Sequence, residues 1–147
     1  MVWLYLLFAF AGGAALPFQA GINTQLAAWL QSPVRAAFVS FFVGTVLLLV
    51  AAAFVFKPLP SWGRVGDAPW WVWVGGALGA FYVAATIVTA PRLGAATLVA
   101  LVVAGQALAS LVVDHFGWVG FEPKHISAGR LAGMALVGAG VALVRFF

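Results

Sequence analysis

Two sets of polar side chains interrupt apolar stretches of the sequence, and both have helical spacing. Gln106, Ser110 and Asp114 follow one another at intervals of four residues, and Gln19 precedes Asn23 by the same interval. On an α-helix, residues four apart lie on one face, so each set forms a polar stripe. In a lipid bilayer every such group needs a hydrogen-bonding partner. The spacing therefore indicates that these residues bind a solute or join helices.

The composition indicates that these stripes lie in a membrane. Of the 147 residues, 65% are hydrophobic and 7% are charged, and the mean hydropathy is +1.14. An average soluble domain has roughly 25% charged residues. The seven basic and three acidic residues form no run that could follow a phosphate backbone, so a nucleic-acid partner is not expected. The lipid bilayer is the expected surrounding.

Five stretches are long enough to cross a bilayer, which takes roughly 20 helical residues. They lack the alternation of a membrane barrel, and backbone groups in hydrocarbon must be satisfied within a segment, so all five are predicted to be helices. The chain is therefore predicted to be an all-α integral membrane protein with one five-helix domain over residues 1–147. The predicted spans are residues 2–30, 34–56, 70–90, 93–115 and 126–147.

Proline and serine mark the expected helix ends. Pro17 falls inside the first span, where its ring tends to kink the helix. Ser32 followed by Pro33 is typical of a helix start, here that of the second span. Residues 57–69 are predicted to form the main loop, and Pro91 with the following arginine to form a tight turn between the third and fourth spans.

Polar residues in three spans are candidates for substrate binding. Gln19 and Asn23 lie close to the proline of the first span, where freed carbonyls and polar side chains can line a cavity. Gln106 and Ser110 lie deep in the fourth span, and Tyr82 lies in the third. The residues of the first and fourth spans have an alternative interpretation, in which they form hydrogen bonds that join helices.

Asp114 is predicted to form an ion pair. It lies at the carboxyl end of its helix, where a negative charge is unfavourable, and Arg130 lies on the same side of the membrane by chain order. A structural ion pair or a cap for the loop is the favoured interpretation, and proton coupling is the alternative. His115 and His125 flank this loop without cysteines or paired carboxylates, so no metal site is predicted. No cofactor is expected.

The basic residues are balanced across the membrane. Because five spans place the termini on opposite sides, four basic residues lie on one side of the membrane and three on the other. The positive-inside rule depends on an excess of lysine and arginine on one side, and an excess of one residue hardly favours either orientation. We expect insertion in both orientations and an antiparallel homodimer, with one fixed orientation as the alternative. The four are Lys57, Arg64, Lys124 and Arg130, and the three are Arg35, Arg92 and Arg145.

Short motifs along nearly the whole chain carry a resemblance to a known family. The sequence resembles the YdcZ-like membrane proteins, which belong to the drug/metabolite transporter superfamily beside the small multidrug resistance transporters. The resemblance implies a five-helix unit that looks like half of a ten-helix transporter, with dual-topology members and a place in the bacterial inner membrane. The motifs are residues 16–23 (LPFQAGIN), 41–45, 71–79, 91–96 (PRLGAA), 105–106, 110 and 114–117 (DHFG).

The resemblance does not extend to the proton-exchanging glutamate that small multidrug resistance transporters have in their first helix. This chain has no acid in its first span, and Gln19 and Asn23 occupy the comparable stretch. An amide cannot carry a proton in a neutral-pH cycle, but it can recognise a polar or zwitterionic solute by donating and accepting hydrogen bonds.

The function expected from these patterns is secondary transport. A dual-topology, antiparallel homodimer would form a ten-helix bundle and move a small polar or amphipathic solute through a site at the dimer interface. The chain has no cysteine and no nucleophile with a base and an orienting group, so an enzyme is not expected. A dual-topology passive channel and a non-transporting accessory subunit are the alternatives.

Overall fold

The computed structural model of the chain describes residues 2–55 and 66–147, and these residues are mainly helical. Five helices in this part are long and apolar enough to cross a membrane, which confirms the predicted all-α membrane architecture. A short 3-10 helix, Trp70–Trp73, leads into the third of them, and another, Trp118–Gly120, follows the fourth. The five helices are α1 (Val2–Leu30), α2 (Pro33–Val55), α3 (Val74–Leu93), α4 (Ala95–Phe116) and α5 (Ala128–Phe146).

The chain divides into two compact units, Met1–Pro91 and Arg92–Phe147. The first contains α1, α2 and nearly all of α3, and the second contains α4 and α5. Within the second unit, α4 packs against α5. The single domain inferred from the sequence stays a prediction.

The first unit has a small core to which all three of its helices contribute. Both core residues of α2 are alanines, and small side chains allow helices to approach closely. Most of the large apolar side chains outside this core are exposed, as expected for surfaces that face lipid. The buried core residues are Ala36, Ala37, Val83 and Ile87, against which Leu26 and Ala27 of α1 pack.

The start of α2 follows the predicted signal. Pro33 is the first helical residue, one position before the predicted span, and the backbone N–H of Arg35 donates to Ser32 Oγ over 3.3 Å. Proline at this position sacrifices no helical hydrogen bond, because the first N–H groups of a helix have no carbonyl partner. The predicted end of this span at residue 56, the predicted loop 57–69 up to residue 65, and Lys57 and Arg64 lie outside the described residues.

The predicted turn at Pro91 is wrong. α3 continues through Pro91 and ends at Leu93, and α4 begins after Gly94 instead of at residue 93. A proline in the last turn removes only one hydrogen bond, so the helix tolerates it there. The chain breaks at Gly94 because its φ of 74° and ψ of 163° lie in a region that is open essentially to glycine alone.

The ends of the second unit's helices also differ slightly from the prediction. α4 ends at Phe116, one residue late, and Gly117 follows with a φ of 63°. A Cβ atom at Gly117 would lie 2.8 Å from Pro123 Cγ, so this turn requires glycine. α5 begins at Ala128 instead of residue 126, because Ser127 caps it by accepting the N–H of Arg130 over 3.3 Å.

Gly94→Ala should destabilise the protein, and Gly76→Ala should not. The alanine at position 94 would hold a disallowed backbone conformation, which we expect to lower the free energy of unfolding in detergent by about 1–3 kcal/mol. Gly76 lies within α3 with open space around its Cβ position, so its replacement should be neutral or stabilising by about 0.5–1 kcal/mol. Equal melting temperatures for the two variants would contradict this account of the α3–α4 break.

Candidate functional site

Asn23 is the buried polar side chain that the described structure leaves without a partner. It is 4% exposed on α1, and its Nδ2 atom donates no hydrogen bond to any described residue. The neighbouring Thr24 is satisfied, since its hydroxyl donates to the carbonyl of Ala20 over 2.8 Å. Leaving a buried donor unpaired costs about 1–3 kcal/mol. Such a group calls for an acceptor from outside the subunit's described residues, such as a solute, water or a second chain.

Gln19, one turn before Asn23, is exposed and lines a groove between α1 and α2. We call it the α1–α2 groove. Its volume is about 220 Å³, and both helices contribute polar side chains to a lining that is otherwise apolar. The groove is therefore large enough for a small solute with both kinds of surface. Its lining residues are Gln19, Ser40, Phe41, Gly44, Thr45 and Leu48.

The hydrogen-bonding capacity of the groove is largely unused. Among residues 2–55 and 66–147, the side chains of Gln19 and Ser40 make no hydrogen bond. Thr45 donates its hydroxyl hydrogen to the carbonyl of Phe41 over 2.8 Å, so its oxygen remains an acceptor. The groove thus offers the donors of an amide and a hydroxyl, and the acceptors of all three polar side chains.

Ser40 and Thr45 were missed by the sequence analysis. Each is a single hydroxyl in an apolar span, and such hydroxyls commonly bond to their own helix, as Thr45 does. A signal was available in the spacing of Ser40, Gly44 and Leu48, which lie four residues apart and share one face of α2. What the spacing could not show is that this face lies opposite Gln19.

Tyr82 is separate from the α1–α2 groove. It is half-buried and packs against the apolar core of the first unit. The threonines of the same helix are satisfied locally, since Thr86 donates to the carbonyl of Val83 over 2.8 Å and Thr89 to that of Ala85 over 2.7 Å. The structure therefore gives Tyr82 a packing contact, and its proposed contact with a solute stays a prediction.

In the second unit, Gln106 and Ser110 lie on the exposed surface of α4. The hydroxyl of Ser110 donates to the carbonyl of Gln106 over 2.6 Å, so it is satisfied within its own helix. The side-chain amide of Gln106 makes no hydrogen bond to any residue that the structure describes. Of this pair, Gln106 is the residue that still needs a polar partner in the membrane.

Asp114 and Arg130 form an ion pair at the end of α4. Arg130 Nη2 donates to Asp114 Oδ2 over 3.1 Å, and the Arg130 side chain is 33% exposed and that of Asp114 28%. Arg130 also donates to the carbonyl of Lys124 over 3.2 Å, and the N–H of Lys124 donates to the carbonyl of Asp114 over 2.7 Å. His115 Nδ1 accepts the N–H of Ile126 over 3.4 Å. These bonds fasten the loop between α4 and α5 to both helices and compensate the negative charge at the end of α4.

The same loop brings two histidine rings together. The centroids of His115 and His125 are 5.5 Å apart. Within the described residues, no group of three or more potential metal-ligating side chains is present. The structure therefore supplies no donor set for a metal at this end of α4.

Five helices that are long and apolar enough to cross a bilayer define the chain as a multi-pass membrane protein. The model of the family described as "Putative inner membrane exporter, YdcZ" matches residues 4–143. The chain is also 30% identical over 142 residues to inner membrane protein YdcZ of Escherichia coli (strain K12). The matched stretch covers 96% of this chain and 94% of that protein. No solved structure matches the chain significantly.

The chain belongs to the YdcZ family. This assignment and the location in the inner membrane confirm the predictions from the sequence. The description of the family is that of an exporter, which is a kind of membrane transporter.

A double-mutant cycle on Asp114 and Arg130 should reveal a structural ion pair. Asp114→Asn and Arg130→Gln should each lower the free energy of unfolding, with a coupling between them of about 1 kcal/mol that weakens as salt rises. Thermal unfolding in detergent measures both effects. A matched control is Arg145→Gln, near the end of α5, which should show no coupling to Asp114→Asn. If the effects of Asp114→Asn and Arg130→Gln on the free energy of unfolding are additive, the ion pair does not stabilise the fold.

Proposed function

We propose that the chain is a dual-topology secondary transporter that works as an antiparallel homodimer and moves a small polar or amphipathic solute across the inner membrane. The observation that carries the proposal is the buried, unpartnered Nδ2 atom of Asn23 within a membrane span. Unsatisfied polar groups in a bilayer are costly and typical of functional sites. The α1–α2 groove, one helical turn away along α1, offers further unpaired groups to the same solute.

The exposed amides support a second copy as the partner. Gln19 in the first unit and Gln106 in the second both lie on the surface of single helices within membrane spans. Lipid tails provide no hydrogen bonds, so these amides need a polar surface or a water-filled cavity. A second copy in the opposite orientation would supply such a surface and would create the inverted symmetry that alternating access uses.

Family membership and charge balance favour the same arrangement. The matched family is one of exporters, and the chain carries four basic residues on one side of the membrane and three on the other by chain order. α1 contains no acidic residue, so the proposed cycle does not use a carboxylate on this helix. Asp114 forms an ion pair at a helix end, and a structural role there is the simpler assignment.

Labelling of the carboxyl terminus tests the dual topology. The chain has no cysteine, so Phe147→Cys supplies a unique target for a membrane-impermeant maleimide. We expect about half of the protein to react from outside intact cells, and the rest only after permeabilisation. Adding Arg92→Gln should move the terminus toward the outside, because that side then keeps two basic residues against four. Reaction from one side only in the first variant would rule out dual topology.

Reconstitution separates the transporter from its alternatives. In proteoliposomes, saturable uptake driven by a gradient supports a carrier, whereas ohmic current indicates a passive channel. Absence of transport for a broad panel of neutral, zwitterionic and charged solutes would favour an accessory subunit.

Asn23→Leu should abolish transport without destabilising the fold. Leucine removes a buried donor that lacks a partner, so we expect the free energy of unfolding to be unchanged or raised by about 1 kcal/mol. The control Thr24→Val changes a neighbouring hydroxyl that bonds within α1 and should retain uptake in the same proteoliposomes. A marked drop in the melting temperature of Asn23→Leu would instead show that Asn23 serves helix packing.

A further inference from the structure

The α1–α2 groove contains polar groups but no charged ones. Its polar lining consists of one amide and two hydroxyls, and its apolar lining includes Phe41 and Leu48. In the described sequence of α1 and α2, Arg35 is the one charged residue. It lies in the first turn of α2, about 7.5 Å along the helix axis from Ser40 and about 15 Å from Thr45. Its guanidinium is also directed to a carbonyl, that of Leu30, at 3.5 Å.

A charged solute in this groove would lose its hydration without gaining a counter-charge. The cost of placing an unpaired charge in the hydrocarbon region exceeds what a few neutral hydrogen bonds return. An uncharged solute would lose much less hydration free energy. The available donors and acceptors are mixed, so they suit a solute that itself both donates and accepts.

We propose that the α1–α2 groove binds the transported solute, that the solute is uncharged, and that Ser40 and Thr45 recognise it together with Gln19. The inference rests on the proposed transport function and narrows it to a substrate class. The solute would present hydrogen-bonding groups to these three side chains and an apolar part to Phe41 and Leu48. Asn23 lies one turn further along α1 than Gln19, and its buried donor is unpaired. It is therefore the next group on this helix that could bind the solute.

The groove differs from another open groove of the first unit. Between α2 and α3 lies a larger one of about 550 Å³, and the side chains that line it are apolar. Lipid tails can fill such a groove at no cost in hydrogen bonds. The α1–α2 groove, in contrast, has the amide of Gln19 and the hydroxyl of Ser40, which lipid leaves unsatisfied, so its occupant must carry polar groups.

Thiol chemistry at Ser40 tests the charge class without knowledge of the natural substrate. In the cysteine-free chain, Ser40→Cys is treated with three methanethiosulfonates of similar size: neutral hydroxyethyl, cationic aminoethyl and anionic sulfonatoethyl. The reagents are present on both sides of membrane vesicles, and each rate is divided by the rate of the same reagent with glutathione in buffer. We expect the neutral reagent to modify Ser40→Cys about tenfold faster than either charged reagent.

Two further variants make the result decisive. Val43→Cys is the matched control, since Val43 is exposed on α2 outside the groove and differs in depth from Ser40 by about 4.5 Å; it should react slowly with all three reagents. Thr45→Cys places a second thiol in the groove and should repeat the preference shown by Ser40→Cys. A charged reagent that matches the neutral one would overturn the proposed substrate class. Rates no higher than those of Val43→Cys would show that lipid or another protein surface fills the groove.

Failure of this inference is distinguishable from failure of the transport function. The thiol rates report which charge class enters the groove and require no transported solute. Secondary transport fails separately, through the absence of gradient-driven uptake in proteoliposomes. If uptake is present and the thiol rates show no preference for the neutral reagent, the transporter stands and the site or substrate class proposed here is wrong.

Discussion

The structure depends on one constraint: in hydrocarbon, a polar group can be satisfied only by the protein or by what the protein binds. The five helices satisfy most backbone groups internally. Several hydroxyls within the spans follow the same rule, as Thr24 and Ser110 show by donating to carbonyls one turn back. Against this background, the unpaired amide of Asn23 is an exception with a cost in stability. Groups that keep such a cost are the natural candidates for binding a solute.

The charged residues that hold the α4–α5 loop are separate from the uncharged polar residues proposed to bind the solute. The charged pair Asp114 and Arg130 lies at the end of α4, where it ties the loop to both neighbouring helices. The interior of α1 and the groove beside it offer amides and hydroxyls instead. A site of this kind recognises its solute by hydrogen bonds and shape, so in the proposed transporter the selectivity would come from the arrangement of donors and acceptors, with no ion pair to the solute.

The small size of the chain bears on the proposed assembly. Much of the apolar surface is exposed in the single chain, and part of that surface must face lipid. The exposed amides Gln19 and Gln106 are less easily assigned to lipid, because their donors and acceptors would then go unmet. An antiparallel second copy would supply hydrogen-bonding partners for these amides. In this way two chains of 147 residues would provide the symmetry of a ten-helix transporter.

The sequence by itself determined the five spans, the family, the capped start of α2 and the pairing expected for Asp114, because hydropathy, capping and helix-end charge act locally. It misplaced the α3–α4 break at Pro91, since a helix in the membrane tolerates proline in its last turn, whereas the backbone angles of Gly94 appear only in the structure. The tertiary structure alone decided that Asn23 is buried without a partner and that Ser40 and Thr45 lie opposite Gln19. The physical reason is that spacing fixes which residues share a face of one helix, but the rotation and packing of its neighbours fix what that face meets.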